Sequence, residues 1–292
     1  MCYTVGMNGE PFAELESLGS RTTCPNCGAE RTGRYCRDCG QRFPDDRLAL
    51  RTLLRELPAR YLNLEQGFLA TLIGVLRHPG KVARRYVLGE RRKVSNPLTL
   101  MLLGASLQLL VLALFQDVTQ ELLADGIADA RARAPGPYEN LDAILGEPAE
   151  VRMPIIYSSM IRGAYTYAAL LFFCFPFAAL LRLLRSDDPV PLRFAEHLIF
   201  SLYTVSCLLV LTAFTNLLTF AFAKSLQPYF AFGTYLIYGG YMAHTGFYPD
   251  GFASRLRTFA AFLLAVFTFF VSLAVILIVY VVLHLVMVGG GG

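Results

Sequence analysis

Five long apolar runs bound what this chain can fold into. Pro97–Gln116, Ile161–Leu181, Leu198–Ala223, Tyr229–Phe247 and Phe259–Val288 each approach or exceed the roughly 20 residues that a helix needs to cross a bilayer. In hydrocarbon every backbone N–H and C=O needs an internal partner, and a helix supplies one within a single segment. The expected fold is therefore an all-α polytopic membrane helix bundle of about five transmembrane helices. Composition agrees: 55% of the residues are hydrophobic and 16% charged, against about 25% charge in a soluble domain. Tyr and Gly dilute the fourth run, and the fifth is long enough to tilt, bend or project. Residues 1–23 have no apolar core behind a basic start, so the first run is expected to act as its own insertion signal.

Charge sets the expected orientation. Residues 1–97 hold 16 Lys/Arg and 10 Asp/Glu, while the remainder holds 10 and 12. The excess is concentrated just ahead of the first run, at Lys81, Arg84, Arg85, Arg91, Arg92 and Lys93. Basic loops stay on the cytoplasmic side. Arg182, Arg185 and Arg193 between runs two and three, and Arg255 and Arg257 between runs four and five, agree with a cytoplasmic N-terminus. The turn Lys224–Pro228 and the tail Gly289–Gly292 then lie outside. A basic cluster beside a span reads as a contact for anionic membrane lipid or a protein partner, through Arg84, Arg85, Arg91, Arg92 and Lys93; nucleic acid is the less favoured partner.

Ahead of the runs stand two Cys-x-x-Cys-Gly pairs, Cys24-Pro25-Asn26-Cys27-Gly28 and Cys36-Arg37-Asp38-Cys39-Gly40. Each pair can bend into a knuckle that aims two thiolates at one ion. Gly28 and Gly40 suit the positive φ that follows a knuckle. Four soft thiolates match a closed structural Zn2+ site. The eight-residue gap is short for such sites and favours a small zinc ribbon, with a minimal hairpin turning near Thr32-Gly33. Two disulfides and a rubredoxin-like iron site are the competing readings. Cys174 and Cys207 lie in apolar runs and read as packing, and Cys2 stands apart.

Organisation follows. Residues 1–20 are a lead-in, 21–42 the ribbon, and 46–96 amphipathic juxtamembrane helices with the basic segment. Within the latter, Leu50, Leu53, Leu54 and Leu57 recur at helical spacing, Pro58 divides the helix, and Leu64, Phe68, Leu72, Val75 and Leu76 mark a second face. Residues 97–288 form the bundle. Its external segment 117–160 carries eight acidic residues and three Arg, and a helix is expected from Asp117 to Arg133, ending near Pro135-Gly136-Pro137. It reads as a solvated cap.

Several motifs combine. Tyr35-Cys36-Arg37-Asp38-Cys39-Gly40-Gln41, Gly67-Phe68-Leu69-Ala70-Thr71-Leu72, His78-Pro79-Gly80, Arg85-Tyr86-Val87-Leu88-Gly89-Glu90-Arg91-Arg92, Asn96-Pro97-Leu98 and Glu196-His197-Leu198-Ile199-Phe200-Ser201-Leu202 follow in order. Together they resemble a family of bacterial integral membrane proteins with an N-terminal zinc ribbon, classed as a domain of unknown function. The resemblance implies a bacterial inner-membrane location and supplies no reaction.

No phosphate-cradling glycine loop or nucleophile elbow occurs. The polar constellation with most content is Glu196-His197, followed by Ser201, Thr204, Thr212, Asn216 and Thr219 near one helical face. Such a face should point into a bundle, where it lines a polar path or bonds neighbouring helices. Arg84, Arg85 or Arg92 is the expected partner of Glu196. Tyr235, Tyr238 and Tyr241 read as packing or interfacial anchoring, and His78, His244 and His284 as structural. The leading functional expectation is a non-enzymatic membrane protein whose ribbon and basic region dock a partner or lipid. A transporter using the path from His197 to Thr219, and a membrane enzyme acting on lipid or envelope precursors through Glu196 and His197, are the alternatives.

Overall fold

The computed structural model describes residues 15, 18–43, 47–48, 68–161, 165–188, 191–222, 226–248 and 251–289. The expected helix through Leu50 to Leu57, its break at Pro58, and Cys2 lie outside these residues. Among the described residues the structure is helical and has no strand. Its helices are α1 (Phe68–Arg77), α2 (Pro79–Val87), α3 (Pro97–Leu114), α4 (Gln116–Arg133), α5 (Pro135–Leu145), α6 (Ala149–Ile161), α7 (Tyr165–Leu184), α8 (Phe194–Phe222), α9 (Gln227–Met242) and α10 (Phe252–Gly289).

Three of them, α3, α8 and the Phe252–Ile276 part of α10, are long and apolar enough to cross a membrane. They differ in what covers them. The most apolar stretch of α8 is 78% buried, that of α10 only 18%. Accordingly Phe267, Phe270, Val271, Val275 and Ile278 of α10 lie exposed, a display of apolar surface that suits lipid rather than water. The fourth expected run is divided. Its helix, α9, stops at Met242 after 16 residues, about 24 Å at 1.5 Å per residue. Residues 243–248 leave the helix because they are used in packing: Phe247 stacks on Phe200 at 4.6 Å between centroids, and Thr245 Oγ1 accepts the Gly80 N–H at 3.0 Å.

The chain divides into two compact units. One comprises Met1–Gly104, Cys174–Leu208 and Leu236–Ala265, the other Ala105–Phe173, Leu209–Tyr235 and Val266–Gly292. In the first, Pro79 occupies the opening turn of α2, where its missing N–H costs nothing. Asn96 caps α3: its Oδ1 accepts the Leu98 N–H at 2.9 Å, with Pro97 at the first helical position. The motifs His78-Pro79-Gly80 and Asn96-Pro97-Leu98 are thus two helix starts. An aromatic core of Phe177, Phe200, Phe247 and Phe262 fills the space between α7, α8, α10 and the turn after α9.

In the second unit, α4 spans nearly the expected residues, and Pro135 opens α5 rather than merely closing α4. Arg131 holds α4, α5 and α6 together, donating to Asp142 at 2.7 and 2.8 Å and to Glu150 at 2.6 Å. That guanidinium keeps the Asp142 carboxyl below its ordinary range. Asp142 and Glu150 are therefore tied to one cation within the segment, Arg133 and Arg152 lie 3.9 and 3.8 Å from Asp129 and Glu147, and Phe115 packs against Phe220 beneath α4.

Candidate metal centre and the polar turn of the longest buried helix

The four Sγ atoms of Cys24, Cys27, Cys36 and Cys39 lie within 4.8 Å of one another. Cys24 and Cys39 approach to 3.7 Å, Cys27 and Cys36 to 3.4 Å. Four sulfurs about 2.3 Å from a tetrahedral ion would sit about 3.8 Å apart, so the cluster has the dimensions of a metal site. A disulfide needs about 2.05 Å, and the four sulfurs are unbonded.

Local backbone chemistry builds each half. The Gly28 N–H donates to Cys24 C=O at 2.8 Å, and the Gly40 N–H to Cys36 C=O at 2.9 Å. Both glycines have positive φ, 83° and 66°, as the knuckle reading requires. The bridges, however, pair Thr23 with Glu30 and Tyr35 with Arg42. Each closes around one knuckle, and neither spans the expected turn at Thr32-Gly33. The halves are two separate loops facing each other, because each knuckle satisfies its own amides locally. Phe43 supplies their apolar floor, packed on Cys24, Cys36, Ala29 and Cys39.

The four thiols are not equivalent. The Cys39 amide, which donates to Cys36, outweighs the other influences and lowers that thiol to about 7. Burial raises Cys24. The Ala29 amide favours the Cys27 thiolate, yet desolvation and the neighbouring thiols push it up to about 12. Of Cys24, Cys27 and Cys36, the last is thus first available as thiolate to an incoming cation, and the other two must release protons to bind it.

The cysteine loops rest on the segment between α2 and α3. Lys93 N–H donates to Asn26 Oδ1 at 3.0 Å. Arg21 Nη1 donates to Leu88 C=O at 3.2 Å, and Gln41 Nε2 donates to Gly89 C=O. The Arg92 guanidinium lies so close over Gly40 that a Cβ there would meet its Nη1 at 2.4 Å. A tetrathiolate bearing one divalent ion carries two net negative charges, so these cations are well placed beside it. Of the expected surface-contact residues, Arg92 and Lys93 are exposed and Arg84 and Arg91 half-buried, with Arg91 reaching over the Tyr86 ring at 5.9 Å. Arg85 is exposed and bound to Glu90 at 2.7 Å.

The partner of Glu196 is Arg47, not Arg84, Arg85 or Arg92. Glu196 is fully buried, and its two oxygens take Arg47 Nε at 3.0 Å and Nη2 at 2.5 Å. Its Oε2 also accepts the Arg193 N–H at 2.7 Å, the carboxylate half of a capping box at the start of α8. Next to it, His197 Nδ1 meets the Tyr248 hydroxyl at 2.7 Å. Burial holds the Tyr248 phenol well above its ordinary range, so it stays protonated. Arg185 lies 3.7 Å over the Tyr248 ring and bonds Asp188, Thr258 and Ser254. Arg185, counted in the sequence as an orienting surface charge, is in fact a buried tie between α7 and α10. Arg47, Arg185 and Tyr248 were missed as site residues; all three are paired across distances in sequence that helical periodicity does not reach.

The rest of the expected polar face behaves differently. Ser201, Thr204, Thr212 and Thr219 are buried and donate to carbonyls three or four residues back in α8. Ser201 also reaches Cys174 C=O, Thr212 lies near Gln108, and Asn216 accepts from Gln227. The second unit holds a cavity of about 200 Å³ whose lining includes Leu109, Leu112, Ala113, Gln116, Gln120 and Ser158. Cys174 and Cys207 are fully buried.

These features define a helical protein with three helices able to cross a membrane and a four-cysteine cluster able to hold a metal ion. A family profile described as "Protein of unknown function (DUF3667)" matches residues 65–109, which contain α1, α2, the loop under the cysteines and most of α3. No curated protein and no solved structure matches the chain.

Proposed function

We propose that this chain is a non-enzymatic protein of the bacterial inner membrane, with a cytoplasmic N-terminal zinc ribbon that docks a protein partner or anionic lipid. The observation that carries this reading is the placement of the four-cysteine cluster directly on the basic segment Leu88–Lys93. The cysteine cluster and the basic residues lie side by side there, and Arg92 and Lys93 are exposed to solvent. The ion is Zn2+, which four thiolates in a closed tetrahedron suit best. Five crossings are supported by the length of α7, 20 residues or about 30 Å; α9 is short and would require local thinning of the bilayer.

The test begins with elemental analysis of detergent-purified protein. About one zinc per chain, lost in Cys24→Ser/Cys39→Ser, supports the metal assignment; iron or no metal removes it. Native mass spectrometry from phosphatidylglycerol and phosphatidylcholine nanodiscs, with photo-crosslinking at position 93 in cells, then separates lipid from protein as the partner. Arg92→Glu/Lys93→Glu should abolish whichever contact exists, and His197→Ala should leave it intact. The opposite pattern would favour a transport path through α8.

A further inference from the structure

We infer that metal loading of the cysteine head fastens the first turn of α8 through the Arg47–Glu196 pair, so that loss of the ion releases the buried end of that helix. The inference rests on the metal reading above. Among the described residues the head's apolar cluster is Phe43 with Ala29 and the cysteines themselves, so an ion at the four sulfurs supplies much of its folding energy. Two of its contacts to the segment below come from the knuckles themselves: Asn26 lies between Cys24 and Cys27, and Gln41 follows Gly40; Arg21, just ahead of the first knuckle, supplies a third. Collapse of the knuckle geometry therefore removes two of the contacts that seat the head.

Arg47 follows Phe43 by four residues, a reach of at most about 14 Å. Its guanidinium also donates to Pro191 C=O at 3.1 Å, so the pair joins the chain leaving the head to both sides of the α8 start. At the other end of the pair, Glu196 is fully buried and takes both Arg47 nitrogens. A buried carboxylate deprived of its cation is strongly disfavoured. The least costly response is to open the first turn of α8 and let water reach Glu196, which also disturbs the adjacent His197–Tyr248 bond. The same seat touches α8 a second time, through Tyr203 Oη donating to Ser95 C=O at 2.5 Å. Arg47 thus ties the chain leaving the head to the start of α8, and Tyr203 ties the segment beneath the head to the third turn of that helix.

Hydrogen–deuterium exchange of the full-length protein in nanodiscs tests this, read at the amides of residues 194–200 with zinc loaded and after chelation. Chelation should speed their exchange by at least about tenfold. Arg47→Ala should speed it equally while retaining one zinc per chain, and chelating that variant should add nothing. Should Arg47→Ala fail to accumulate, Glu196→Gln serves. Its carboxamide oxygen still accepts the Arg193 N–H but no longer needs the cation, so those amides should become insensitive to chelation. Unchanged exchange on chelation of a zinc-loaded wild type overturns the coupling, as does unchanged exchange in Arg47→Ala. A chain that takes up no metal overturns the metal reading beneath it, a result distinguished by the elemental analysis alone.

Discussion

Two sets of polar side chains stand out in this chain, and the structure treats them in opposite ways. In the head, four sulfurs converge on one point, each knuckle's amides turn toward its own thiol, and the four lone-pair groups are left to share whatever sits between them. Along α8, the hydroxyls of Thr204, Thr212 and Thr219 turn back to carbonyls of their own helix. The first arrangement creates a demand for a ligand. The second extinguishes it, because a hydroxyl bonded to its own backbone has its donor occupied. Polar periodicity on a helix is thus weak grounds for a pathway, whereas convergence is strong grounds for a site. The first turn of α8 lies between these extremes: Glu196 and His197 converge with remote groups, yet both find partners within the protein.

This contrast can be broken at either end. The largest effect is expected in the head. Cys24→Ser/Cys39→Ser should abolish metal binding, removing on the order of 10 kcal/mol of metal-linked folding energy, read as loss of zinc and proteolytic opening of residues 18–43. Metal affinity of the wild type should also fall steeply as pH drops from 8 to 6. Over that range Cys24 and Cys27 are protonated in the metal-free head and Cys36, near 7, becomes so, so more protons must leave at each step down. An affinity flat across this range, by competition with a chelating dye, would break the four-thiolate assignment.

Next comes Glu196→Ala, which removes the carboxylate that Arg47 binds and uncaps α8. About 3 kcal/mol of stability should be lost in thermal unfolding of the purified protein. Tyr248→Phe should cost about 1 kcal/mol, since it deletes one neutral hydrogen bond to His197 and keeps the ring beneath Arg185. Smallest of all, Thr212→Val and Thr219→Val should change stability by less than about 1 kcal/mol and leave any transport or binding readout unmoved. A large functional loss in these two, with stability intact, would overturn the contrast and revive a polar path along α8.

Much of this was legible in local sequence. The knuckles and their glycines, the end of α4 before Pro135 and the length of α8 follow from rules that act over a few residues: positive φ after Cys-x-x-Cys-Gly, proline's missing N–H, and the apolar run a span demands. The fourth run illustrates where such rules stop. Tyr229–Phe247 is apolar enough to read as one helix, yet its last residues are worth more as a turn. Phe247 gains a stacked ring on Phe200, and Thr245 accepts the N–H at the start of α2. Those partners lie 47 and 165 residues away in the chain, and no local propensity registers them.

By itself, then, the sequence determined the helical class, three of the five expected spans and the four cysteines, because each depends on composition or spacing within one segment. Tertiary structure alone decided that Arg47 rather than Arg84, Arg85 or Arg92 answers Glu196, that Arg185 is a buried tie over the Tyr248 ring, and that Leu88–Lys93 is a seat before it is a surface. A buried charge is matched by whichever opposite charge the fold brings within hydrogen-bonding distance, and chain separation has no part in that selection. The pair joining residue 47 to residue 196 closes at 2.5 Å across 149 residues of chain, a separation that only the folded tertiary structure bridges.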